Sequence, residues 1–194
     1  MEIVVASGAI QETSADTLIL NLFAGVKVPA GATGAVDDAM DGAIRELIAG
    51  GDFSGKAGEV AVLYPRQSLT ARRVLVVGLG KQEQFDLEGV RKAAATAIRR
   101  ASELGAHRVA TIVHGAGAGG IPPDEAAQAL VEGSLLALYR YRNDKMKSEP
   151  EIESLTLVEF DPNKVEQLEA GVSIGEAVAA GVCLCRDLVN MPAN

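Results

Sequence analysis

The chain has 194 residues, 48% apolar and 23% charged, with a net charge of −8. Such proportions belong to a globular protein rather than a disordered one, and the length allows one domain, or one with an appendage. The acidic balance argues against a nucleic-acid surface, which needs clustered Lys and Arg to release counterions. The nearest approach is Arg140, Arg142, Lys145 and Lys147; it is flanked by Asp144 and Glu149 and reads as a solvated loop. No run approaches the roughly 18 unbroken apolar residues of a membrane helix, and the N-terminus lacks a signal peptide's basic flank and apolar run. Two cysteines, Cys183 and Cys185, are too few for a disulfide framework. Reduced thiols in a cytoplasmic protein fit these features.

The first two expected strands are 2–6 (EIVVA) and 17–23 (TLILNLF). A short helix is expected over about 36–48, followed by strands 59–64 (EVAVLY) and 73–78 (RVLVVG). After Asp86, a natural N-cap, apolar residues from Leu87 to Leu104 fall at helical spacing, and Gly105 stops the run. Strand 108–113 (RVATIV) comes next. Pro122 and Pro123 then suit the start of a helix carrying Ala127, Leu130, Val131, Leu135 and Leu138. The polar stretch 143–153 reads as an exposed connection to the sixth strand, 154–160 (SLTLVEF). Asp161-Pro162 opens a last helical pattern reaching Val189. Gly171, Gly175 and Gly181 each weaken it by about 1 kcal/mol relative to Ala, which suggests a break near Gly171. Several strands are apolar without alternation, as expected when both faces are buried. The order ββαββαβαβα predicts an α/β protein, a three-layer α/β/α sandwich around a mixed, about six-stranded sheet.

Residues able to carry chemistry are sparse. Neither His107 nor His114 has a His or Cys at ligand spacing, and the Cys183–Cys185 pair lacks a third ligand. Gly115, Gly117 and Gly120 spell G-x-G-x-x-G, but after the fifth strand rather than the first. Two prolines precede the following helix, and no strand-borne acid lies about 20 residues on, so a glycine loop is the better reading. Gly78 and Gly80, in VVGLGK, permit a tight turn. No Ser lies in G-x-S-x-G. Asp37, Asp38 and Asp41 sit near a helix start, where acids favour the dipole without any catalytic role. The residues therefore assign no catalytic, cofactor-binding or metal-binding position.

Three stretches carry a resemblance: GDFSGKAGE (51–59), VLVVGLGK (74–81) and the terminal CRDLVNMPAN (185–194). In this order and spacing they resemble the leucine aminopeptidase family of cytosolic metallopeptidases. EGSLLALYRYRNDK (132–145) is similar to the family's glycine-leucine-tyrosine helix. Met191 stands where the family usually has Thr. The resemblance implies a macro-domain-like N-terminal domain over 1–172. Residues 173–194 would form a connecting helix ending at the entrance to a catalytic domain.

That second domain would hold two divalent metals, manganese or zinc, and all the family's ligands and catalytic residues. The N-T-D-A-E-G-R signature it carries is absent from this chain. The parent would remove N-terminal residues from peptides during intracellular protein turnover, as a hexamer in the cytoplasm. This domain would contribute assembly and active-site access while being inactive alone. Its partners would be its own catalytic domain and other subunits, with no membrane. The alternatives are a macro-like module binding ADP-ribose or a nucleotide, and a nucleic-acid-binding domain. Val178, Val182, Cys183 and Val189 spread more widely than one stripe. A connecting helix of that kind, left without its second domain, is expected to self-associate or to fray beyond about Arg186.

Overall fold

The structure, a computed structural model, describes residues 1–141 and 152–191. Six strands form one sheet: β1 (Glu2–Ser7), β2 (Thr17–Phe23), β3 (Val60–Leu63), β4 (Arg73–Gly80), β5 (Arg108–Ile112) and β6 (Ser154–Glu159). Their spatial order is β1-β6-β5-β2-β4-β3. Every neighbouring pair is parallel except β3 with β4. All six strands lie where their apolar runs placed them, and the sheet is mixed as expected. The central strands are the most apolar. Every residue of β4 is buried, and so are all of β2 except Asn21.

Alternation along these strands feeds two cores. Leu18, Leu20, Val74 and Val76 face α1 (Gly31–Ala39) and α2 (Ala43–Gly50) through Val36, Met40 and Ile44. Ile19, Leu75, Val77, Leu155 and Leu157 face the opposite layer. That layer comprises α3 (Leu87–Glu103), α4 (Pro123–Leu138) and α5 (Val165–Asn190), contributing Val90, Ile98, Leu130 and Leu168. The result is the expected α/β/α sandwich.

Two helical expectations need correction. The single helix over 36–48 is two helices. Asp41 (φ 55°) and Gly42 (φ 85°) turn the chain between α1 and α2. The buried Asp37 carboxylate then accepts hydrogen bonds from the amides of Ile44 (2.8 Å) and Arg45 (3.1 Å), capping α2 from outside it.

The second correction concerns the last helix, which does not break near Gly171. A Cβ at Gly171 would overlap the Asp124 carbonyl oxygen of α4, and one at Gly175 would lie 2.8 Å from the Gln128 oxygen. These glycines let two helix backbones approach, so tertiary packing outweighs their poor propensity.

The end of α5 is braced on the end of α4. Tyr139 Oη donates to Asp187 Oδ1 (2.8 Å), and the Arg186 guanidinium lies 5.3 Å above the Tyr139 ring. Val182 and Cys183 are half-buried, whereas Val178 and Val189 are exposed. By length and composition the helical stretch Pro162–Asn190 is apolar enough to cross a membrane, with an 18-residue window of mean hydropathy 1.5. One such helix is weak ground for a span, and here Leu168, Gly171, Val172, Gly175 and Ala179 are buried in packing within the domain. Arg142, Lys145 and Lys147, most of the connection 143–153, and residues 192–194 of the terminal motif lie outside the described residues.

Candidate functional site

In a parallel sheet, ligands bind beyond the C-terminal strand ends, where successive connections leave to opposite faces. Here β2 meets that condition against both its neighbours, β5 and β4, and a polar pair sits at the β2–β5 junction. The chain leaves β2 for α1 and α2 on one face, and leaves β5 for α4 on the other. Asn21 of β2 and His114, just past β5, meet there.

Their contact is Asn21 Nδ2 to His114 Nδ1 at 2.9 Å. Thr33 Oγ1 of α1 donates to the Asn21 carbonyl (2.9 Å), tying one helical layer to the same point. His114 is 1% exposed, and burial pushes its imidazole down to about 4, so the ring is neutral at physiological pH. A small cavity of about 10 Å³ adjoins it, with Ile19, Ile98 and Leu130 among its lining residues. His114 thus behaves as a core residue with a hydrogen-bond partner. Its partner Asn21 did not stand out from sequence, although one amide within TLILNLF was a signal.

The glycine loop lies above this pair and is occupied by its own neighbours. Gly115 (φ 86°) packs so closely on Phe85 that a Cβ there would sit 2.8 Å from the ring. Phe85 stacks edge-on against Phe23 at 5.2 Å. Gln82 Nε2 donates to the Ala118 carbonyl (2.5 Å), and the amides of Gly120 and Ile121 bond back to the Gly117 and Gly115 carbonyls. The helix that follows is a poor anion site. Pro122 and Pro123 offer no N–H, and Asp124 and Glu125 place negative charge on its first turn. These contacts tie the loops that follow β2, β4 and β5 into one crest.

The other sequence candidates are dispersed. His107 is exposed, with its ring 3.9 Å from Glu153. Cys183 is half-buried and Cys185 exposed on α5. Asp38 pairs with Arg45 at 2.8 Å, and Asp41 forms the turn. Among the described residues, no three His, Cys, Asp or Glu side chains come together as a metal site.

Residues 19–150 match the model of the cytosol aminopeptidase family, N-terminal domain. The chain belongs to this family. A probable cytosol aminopeptidase of Roseiflexus castenholzii is 36% identical over 204 residues, covering 100% of this chain and 38% of the relative. This member of the cytosol aminopeptidase family therefore spans under half the length of such relatives. A tomato leucine aminopeptidase variant matches in structure with a TM-score of 0.79 at 22% identity, over 100% of this chain and 39% of that one. A Trypanosoma brucei macrodomain in complex with ADP matches with a TM-score of 0.70 at 17% identity, over 88% and 69% of the two chains. At those identities both structures establish the fold, which is macro-domain-like as the sequence resemblance implied.

Proposed function

We propose that this domain serves assembly and active-site access in a longer cytosolic aminopeptidase and performs no chemistry itself. The longer protein removes N-terminal residues from peptides with two divalent metals, manganese or zinc, in a domain that follows this one. The single observation carrying this reading is the match to an aminopeptidase N-terminal domain across 19–150. The crest is consistent with it, the buried His114 imidazole being neutral at physiological pH. Among the described residues no group of three His, Cys, Asp or Glu side chains could hold those metals.

Residues 1–172 form the domain body, and 173–194 form the segment that connects it to the following domain. The active unit is a cytoplasmic hexamer. The test compares the longer protein with a version lacking 1–172, by light scattering and by hydrolysis of a leucyl chromogenic substrate with added manganese. Loss of the hexamer or of access-limited turnover on deletion is expected. An unchanged hexamer with unchanged kinetics refutes the role.

A further inference from the structure

The sheet ends in two edge strands, β3 and β1, and they differ in how well they are protected. β3 is short, Val60–Leu63. At its start Gly58 donates to the Gly78 carbonyl while the Gly78 amide donates to Glu59, so two residues oppose one in a bulge. Pro65 follows just past its end. Short length, a bulge and a proline are devices that keep an edge from pairing with another chain.

β1 has none of them. It runs for six residues, Glu2–Ser7, in unbroken register with β6, without Pro or Lys and with Glu2 as its single charged residue. The amides of Glu2 and Gly8 donate to the carbonyls of Glu153 (2.8 Å) and Glu159 (2.9 Å). Bonding alternates along a parallel pair, so Glu2, Val4 and Ala6 turn their main-chain groups to β6, and Ile3, Val5 and Ser7 turn theirs outward. Among the described residues nothing bonds to those outward groups. Ile3 and Val5 pack on the core beneath α5, whereas Val4, on the opposite face, is 40% exposed.

The occupant that matches this edge is the same strand of a second copy. A two-fold axis through Val4 lays β1 antiparallel to itself. Ile3 then bonds to Val5 of the other copy and Val5 to its Ile3, so the outward groups satisfy one another. The two Val4 side chains meet in the closer, non-bonded pair and continue one apolar face. Glu2 faces Ala6, and the two Glu2 residues stand about 14 Å apart along the strands, beyond a Debye length of about 8 Å. Parallel pairing would set them side by side. One added strand pair buries less than the roughly 800 Å² per partner of a standard interface, so the association is micromolar rather than nanomolar.

We propose that this chain dimerises by antiparallel β1–β1 pairing about Val4, continuing one sheet across both copies. The proposal stands whether or not a further domain follows, since every group it uses lies on β1. Sedimentation equilibrium of the 194-residue chain, from low micromolar to near millimolar concentration, should show a monomer–dimer equilibrium. Val4→Lys and Val4→Glu leave the fold intact, because the side chain is exposed. Each should weaken the dimer by on the order of tenfold through like charges in the close pair. An equimolar mixture of the two variants should dimerise again. In a Cys183→Ser, Cys185→Ser background, Val4→Cys should give a disulfide-linked dimer on mild oxidation. Ala6→Cys should not, because its two copies stand about 14 Å apart and a disulfide needs Cα atoms within about 7 Å. A chain that stays monomeric throughout overturns the proposal. So does a dimer that survives Val4→Lys, or one that cross-links as readily through Ala6→Cys as through Val4→Cys.

Discussion

Replacing the α5 glycines by alanine one at a time separates helix propensity from packing. Each change gains up to about 1 kcal/mol of propensity. At Gly181 nothing among the described residues opposes that gain, since outside the helix's own backbone none of their atoms lies within 4 Å of the new Cβ. The 194-residue chain should gain about 0.5–1 kcal/mol, or roughly 1–4 °C in Tm at this size. At Gly175 the new methyl would sit 2.8 Å from the Gln128 oxygen and 2.9 Å from Val131 Cβ. Both are well inside ordinary contact, and overpacking of this kind costs about 1–3 kcal/mol. A net loss of about 1 kcal/mol remains. At Gly171 the obstacle is the Asp124 backbone itself, and a flexible side chain cannot relieve it. Its net loss should be larger, about 2 kcal/mol or more. Thermal and urea melts of the three variants give the readout. If Gly171→Ala and Gly175→Ala stabilise the chain as Gly181→Ala does, the close α4–α5 packing is wrong.

Two further outcomes follow from the crest. Burial holds His114 at about 4, below its ordinary 6.5, so the unfolded chain binds its proton first as pH falls. Stability from this group is full above about pH 6.5 and declines by about 1.4 kcal/mol per pH unit until roughly pH 4. Urea midpoints across that window should fall less steeply in His114→Gln than in the parent chain; parallel profiles would contradict the buried neutral ring. Calorimetry with ADP-ribose should detect little or no binding, because the prolines and acids at the start of α4 disfavour a phosphate. Micromolar binding abolished by Gly117→Val would favour a ligand-binding module instead.

The strands were legible because burial on both faces leaves an unbroken apolar run, as in β2 and β4. The start of α3 was legible because Asp86 is a side-chain cap, its Oδ1 accepting from the Gly89 amide at 2.8 Å. The split between α1 and α2 was harder, since it depends on Asp37 reaching past a turn to amides seven and eight residues on. The glycines of α5 misled in an instructive way. Propensity is local, whereas the reason for Gly171 and Gly175 lies on α4. The crest pair was half legible. His114 was weighed as a ligand from the sequence, but Asn21 is 93 residues away in sequence and only the fold brings them together. Asp37, Asp38 and Asp41 were expected at a helix start; Asp37 and Asp38 instead lie in the last turn of α1 and Asp41 in the turn that follows, and only Asp37 reaches the amides that open α2.

Non-catalytic status is tested most directly by turnover of a leucyl chromogenic substrate with manganese or zinc added. The 194-residue chain alone should give no hydrolysis above the metal-only blank, while the longer protein turns the substrate over. Metal-dependent activity that copurifies with the 194-residue chain would contradict the assignment.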